Sequence, residues 1–253
     1  MEPSGDGALL ALLEEPPGGG MACLRVLDLA GEGVALYERE VTGRGLAWLG
    51  DSRRLVYEDG GDIRLLDVER LESRDLTPGP EVDYDPLPSP DGRYILWTRS
   101  SREGDGAGGA QLWVMDPEEG DGQFLAPRAE LVAWDPAGER VVSRGKGFGT
   151  SEGGETEYYL QTATPGRRGW EFLAPCEGEP RFLWCPAPGE VVYVSAWRPS
   201  DRADYRAVWF RVRGTEEEKR VATSESLGDD SYPYLFYPAR RGGRVAYIGD
   251  AGL

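Results

Sequence analysis

Histidine is absent from all 253 residues. That removes Ser-His-Asp and Cys-His catalysis, histidine proton shuttles and histidine-ligated zinc or iron. Lysine is nearly absent: Lys146 and Lys219 are the only two. Acid–base or nucleophilic chemistry would therefore fall to Asp, Glu, Tyr, Arg, Cys, Ser, Thr or those two amines. Cys23, Cys176 and Cys185 are too few and too scattered for a disulfide framework or a metal knuckle. Reduced structural thiols suit a cytoplasmic setting. No apolar run reaches membrane-spanning length. Residues 8–13 (ALLALL) follow Glu2 and Asp6 with no positive side chain, which does not read as a secretory signal. A cytoplasmic location is expected.

Positive charge is also short. Lys and Arg total 28 against 45 Asp and Glu, a formal net charge of −17. Such a surface repels phosphate backbones, so nucleic acid is not an expected partner. A basic partner, a cation or simple solubility all suit it. What the chain has in quantity is turn residues, with Gly 36 and Pro 19 and no strict glycine period. That composition fits many short strands joined by many turns.

Internal repetition organises those turns. Residues 87–97 (LPSPDGRYILW) read as a strand, a tight Pro-Asp-Gly turn and a second apolar strand; Pro90 presets φ and Gly92 supplies a positive φ. Residues 47–57 (AWLGDSRRLVY), 133–143 (AWDPAGERVVS), 183–193 (LWCPAPGEVVY) and 235–247 (LFYPARRGGRVAY) repeat the pattern. Anchored on Trp48, Pro88, Trp134, Trp184 and Phe236, the spacings are 40, 46, 50 and 52, which fit four-stranded propeller blades with variable loops. A second, alternating hairpin begins after each of the first four copies, at residues 62–67, 111–116, 157–162 and 207–212. Trp48, Trp134 and Trp184 fall at one repeat position and are expected to pack between blades.

The termini complement one another. The fifth copy ends after two strands, and residues 23–28 (CLRVLD) match residues 62–67 (DIRLLD) in the second hairpin. The expectation is an all-β, five-bladed β-propeller over residues 21–253, in which the N-terminal outer strands complete the C-terminal blade. Residues 1–20 are then a flexible Gly/Pro-rich arm, Met21 is a candidate start, and deleting residues 21–40 should unfold the domain while deleting residues 1–20 should not.

The run from Asp85 to Trp97, with Gln111–Asp116 behind it, resembles the repeat of TolB-like propellers, which also occurs in the propellers of prolyl-oligopeptidase-type enzymes. The match is close in this blade and loose in the others. The resemblance implies a binding platform. TolB itself is periplasmic and six-bladed and engages a lipoprotein through one face, whereas this chain shows no export signal, fewer expected blades and no separate α/β domain. The peptidase relatives need a hydrolase domain with a Ser nucleophile and a His, and this composition has no His.

In such a fold the loops leading into each first strand crowd the channel mouth, and loops on a rigid scaffold carry function. Those loops hold Arg44, Asp83, Asp85, Glu130, Glu179, Asp229 and Asp230. Convergent carboxylates suit Ca²⁺ or a basic peptide; the same residues also start strands and cap turns. The expected function is a non-catalytic, monomeric scaffold for a protein or peptide partner. The alternative is a carboxylate-based hydrolase or lyase at the same mouth, with or without Ca²⁺.

Overall fold

The computed structural model describes the chain apart from residues 17, 32, 101–109, 149–155, 177–178, 198–205, 214–215, 219–234, 239–244 and 249–253. Every regular element among the described residues is a β-strand, and each sheet is an antiparallel run of strands consecutive in sequence. The chain divides into two units, residues 1–128 with 165–168, and residues 129–164 with 169–253.

The first unit holds three four-stranded sheets. The first is β1 (Glu2–Pro3), β2 (Leu9–Glu14), β3 (Ala22–Asp28) and β4 (Val34–Val41). The second is β5 (Leu46–Trp48), β6 (Arg54–Asp59), β7 (Asp62–Asp67) and β8 (Glu72–Asp75). The third is β9 (Val82–Pro88), β10 (Ile95–Ser100), β11 (Gln111–Met115) and β12 (Gln123–Pro127). Side chains alternate across a strand, and the middle sheet uses both of its faces. Leu55, Tyr57 and Leu66 join Leu24, Val26 and Trp48 in one core, while Val56, Ile63 and Leu65 join Ile95, Trp97 and Met115 in the next. The indole Nε1 of Trp48 donates to the Glu2 carbonyl at 2.9 Å, so this repeat-position tryptophan ties neighbouring sheets together as expected.

The turn between the first two strands of a sheet has a shared construction. In the copy at Ser89, the backbone amide of Ser89 donates to Tyr94 O (2.8 Å) and that of Gly92 to Ser89 O (2.9 Å). The Ser89 hydroxyl donates to Asp91 (2.6 Å) and accepts from the Tyr94 amide (2.9 Å). In the copy at Asp135 a carboxylate takes the serine's place and accepts from the amides of Glu139 and Arg140 at 2.8 and 3.2 Å. In the copy at Leu49 the first position is apolar, and Asp51 accepts from the amides of Arg53 and Arg54, each at 3.0 Å. Ser52, standing where glycine stands in the Ser89 copy, is held at φ 60°.

The same construction appears where the sequence reading placed an arm. Ser4 donates to Asp6 (2.6 Å) and accepts from the Leu9 amide (2.9 Å). The amides of Ser4 and Gly7 donate to Leu9 O and Ser4 O at 2.9 and 3.0 Å. Residues 3–7 (PSGDG) are therefore another copy of residues 88–92 (PSPDG), with Gly5 in place of Pro90. β2 pairs with β3 from Leu9↔Asp28 to Glu14↔Cys23. Residues 2–14 are thus two strands of the first sheet and not part of a flexible arm. The expected ring closure is corrected with it, because β2 occupies the edge of β3 that the last strands were to fill. Those strands, β21 (Leu235–Pro238) and β22 (Val245–Ile248), pair with each other as a separate two-stranded sheet.

These turns nest in the first unit. The Asp6 amide donates to the Ser52 hydroxyl at 3.1 Å. A Cβ added at Gly50 would lie 2.5 Å from the Pro90 carbonyl oxygen. Gly50 lets one turn seat directly against the backbone of the next.

The second unit repeats the meander in β13 (Glu130–Trp134), β14 (Val141–Phe148), β15 (Thr156–Ala163) and β16 (Glu171–Pro175), then in β17 (Glu179–Ala187), β18 (Glu190–Trp197), β19 (Arg206–Arg213) and β20 (Glu216–Glu218). Val142, Leu160, Leu183, Val191, Tyr193 and Val212 form the core between these two sheets. The outer strands β12 and β16 read QFLAP and EFLAP and end in Pro127 and Pro175. A terminal proline removes an edge donor and blunts strand addition there.

Candidate functional site

The loop into β5 is built around one carboxylate. Glu58, on the second strand of its sheet, accepts from the Arg44 amide at 3.0 Å and the Asp85 amide at 2.7 Å. It thereby joins the loop into β5 to β9, the first strand of the adjacent sheet. Gly43 and Gly45 leave room for it, since a Cβ on either would collide with Glu58. The Thr42 hydroxyl accepts from the Gly60 amide (2.6 Å), and the Asp83 amide donates to Gly61 O (2.8 Å). Asp85 has φ 55° at a bulge opposite Trp97, and Leu131, at the matching place in β13, has the same φ. The repeat thus puts a bulge just inside each of these first strands, where bulges re-aim side chains.

Side chains on this fixed backbone fall into two kinds. Asp83 is buried and receives a bidentate pair from Arg99 at 2.8 and 2.7 Å. The Arg99 guanidinium lies 4.4 Å from the Trp113 ring centre and 5.8 Å from that of Trp97. The hydrogen bond to Asp83, and then its charge with those of Glu81 and Asp62, hold Arg99 above its ordinary pKa against the opposing effect of burial. Arg44 and Asp85 are different: Arg44 is 83% exposed and faces Glu15 at 3.1 Å, and Asp85 is 65% exposed and faces Arg128 at 3.6 Å. Arg128 also lies over the Tyr84 ring, 5.6 Å from its centre.

In the second unit Arg144 is the hub. Its guanidinium, nearly buried, pairs with Glu130 and with Glu179 (2.9 Å), donates to Pro180 O (2.8 Å) and stacks over Tyr158. Glu179 also pairs with Arg181 at 2.6 Å. Asp229 and Asp230 lie outside the described residues. Each of the four expected acids that is described is therefore held by an arginine. No group of three or more Cys, Asp or Glu side chains converges as a metal ligand set among the described residues.

Among the side chains of these clusters, Glu58 and the arginines Arg99, Arg128, Arg144 and Arg181 escaped the sequence reading. The register carried a signal for two of them. Second strands run antiparallel to first strands, so the end of the second strand faces the start of the first, where Arg99 meets Asp83 and Arg144 meets Glu130. Burial, with a smaller push from Asp135, drives the Cys185 thiol pKa up to about 12, which disfavours its thiolate at neutral pH.

No protein-family model and no curated protein sequence matches the chain. Solved structures do match. The tricorn protease aligns with a TM-score of 0.61 at 12% identity, covering 97% of this chain and 28% of that one. Hydrazine synthase of Kuenenia stuttgartiensis aligns at 0.55 and 14%, covering 98% and 64%. TolB from Acinetobacter baumannii aligns at 0.50 and 19%, covering 80% and 50%. The chain thus spans less than two thirds of the length of each of these proteins. Identities this low speak to fold and not to chemistry. What they show, with the all-β meanders and their recurring turn, is a TolB-like β-propeller fold.

Proposed function

We propose that the chain is a non-catalytic propeller scaffold that holds a protein or peptide partner on the loops leading into its first strands. One observation carries this reading: exposed, exchangeable charges stand on a locked backbone. Glu58 fixes the amides of Arg44 and Asp85, while their side chains form open pairs with Glu15 and Arg128. Exposed ion pairs contribute only about 0–1 kcal/mol. A partner's charged groups therefore replace them at small cost, and no loop has to be ordered first. The buried Asp83–Arg99 pair beneath supports the rim and leaves the surface charges free to exchange.

The test is capture from cells that produce the chain natively, with the wild type compared against Asp85→Lys and Arg128→Glu. The reading expects the specifically recovered protein to fall at least about tenfold in both variants, the size of a 1.4 kcal/mol loss, with the melting temperature held. Equal recovery by all three chains contradicts it.

A further inference from the structure

A second surface lies away from these loops. A cleft of about 630 Å³ opens between β7–β8 and the turn joining β11 to β12. Three guanidiniums (Arg54, Arg70, Arg74) and three carboxylates (Asp67, Glu72, Glu118) surround it, with Leu65 as its apolar element. Most of these charges are engaged. Asp67 accepts from the amides of Glu69 and Arg70 at 3.0 and 3.1 Å and holds its own turn. Arg54 is shared between Asp51 and Glu118. Arg74 donates to a neutral group, the Pro117 carbonyl, and no ion pair of Arg74 or Glu72 occurs among the described residues. One negative and one positive group therefore remain, two residues apart on the same face of β8.

The cleft also has a direction. Arg54, Asp67 and Glu72 stand in one row across the sheet and Leu65 and Arg74 in another two residues along, so these side chains share one face. The cleft lies against that face and ends at the open edge of β8, the last strand of its sheet. Unlike β12 and β16, β8 carries no proline to blunt that edge. A lone phosphate would meet Glu72 and Asp67, and a lone cation would meet Arg74 and Arg70. An extended chain with charges of both signs at the strand's own spacing of two fits both.

We propose that this edge receives an extended peptide segment of a protein partner, laid beside β8, with an acidic side chain on Arg74 and a basic side chain on Glu72. The peptide's acid takes over from the Pro117 carbonyl on Arg74. Strand addition of this kind gains main-chain hydrogen bonds from the edge and specificity from alternate side chains. The site is independent of the loop surface described above.

The experiment is selection of a displayed library of random heptapeptides on the full chain. The proposal expects enriched peptides with an acid and a base two positions apart. Their affinity should fall at least tenfold for Arg74→Glu and for Glu72→Lys and stay unchanged for Arg128→Glu. A peptide with the two charges exchanged should regain binding to the chain carrying both Glu72→Lys and Arg74→Glu. Should one single variant fail to keep the wild-type circular dichroism spectrum, the other carries the comparison. The proposal is overturned if no such peptides are enriched, or if the enriched peptides bind both β8 variants as they bind the wild type. Loss with Arg128→Glu alone also overturns it, while leaving the loop surface standing.

Discussion

Asp51 shows how one carboxylate fixes a turn. Burial works to raise its pKa, but the amides of Arg53 and Arg54 and the Arg54 guanidinium outweigh it and hold the group below the ordinary 3.8. A depressed folded pKa contributes stability that is full above the unfolded value and is lost as pH falls through the folded one. Asp51→Asn is therefore expected to lower the melting temperature at pH 7, and the gap to wild type should close as pH falls from about 4 toward 2. A gap independent of pH would contradict this. Cys185 runs the other way. Its folded pKa of about 12 lies above the ordinary 9.0, so the stability tied to its proton is present below pH 9 and is lost between 9 and 12. Iodoacetamide at pH 8 should alkylate Cys185 more slowly in the folded chain than in urea; labelling in the folded chain at the urea rate would be inconsistent with the raised pKa.

At the scale of elements, the turn at Ser4 makes the same bonds as the turn at Ser89. Ser4→Ala removes a hydroxyl that accepts from the Leu9 amide and orients Asp6. A buried amide left without its partner costs about 1–3 kcal/mol. Ser4→Ala and Ser89→Ala should therefore destabilise the protein to similar extents in urea titrations. An effect at Ser89 with none at Ser4 would return residues 1–14 to the status of an arm. Much of the element order was legible in the sequence, since the Pro-Asp-Gly turns and alternating hairpins appear where periodicity places them. The first two strands, β1 and β2, were not, for two physical reasons. Gly5 stands where proline marks the turn in other copies, and ALLALL is apolar at every position. A strand half-buried on both sides shows no alternation: Ala11 faces the core with Leu9 and Leu13 packed on it, while Leu10 and Leu12 are only partly covered. The sequence drew attention to Asp83 and Glu130, which stand inside β9 and β13, but not to their arginine partners. Arg99 and Arg144 lie 16 and 14 residues from Asp83 and Glu130 and become neighbours only through strand register.

For the molecule as a whole, the N-terminal hairpin covers one face of a core and is no ornament. Ala11 belongs to the cluster of Leu24, Val26, Trp48 and Leu55, and Glu2 O receives the Trp48 indole. Deleting residues 1–14 would uncover that cluster and leave β3 with a bare edge, a template for aggregation. The truncated chain is expected to lose its cooperative unfolding transition or to associate, the reverse of what a flexible arm predicts. The functional proposals stand on the same frame, because both the Glu58-locked loops and the β8 cleft belong to sheets packed on or next to this one.

Hydrogen exchange in the intact chain, followed by mass spectrometry, tests this most directly. Backbone amides in ladders bonded on both sides exchange only through opening of the sheet, whereas those of an arm exchange at once. Peptides spanning residues 9–14 should be protected to the same degree as those spanning residues 54–59 of β6. Exchange of residues 9–14 within seconds, with residues 54–59 still protected, would contradict a complete N-terminal blade.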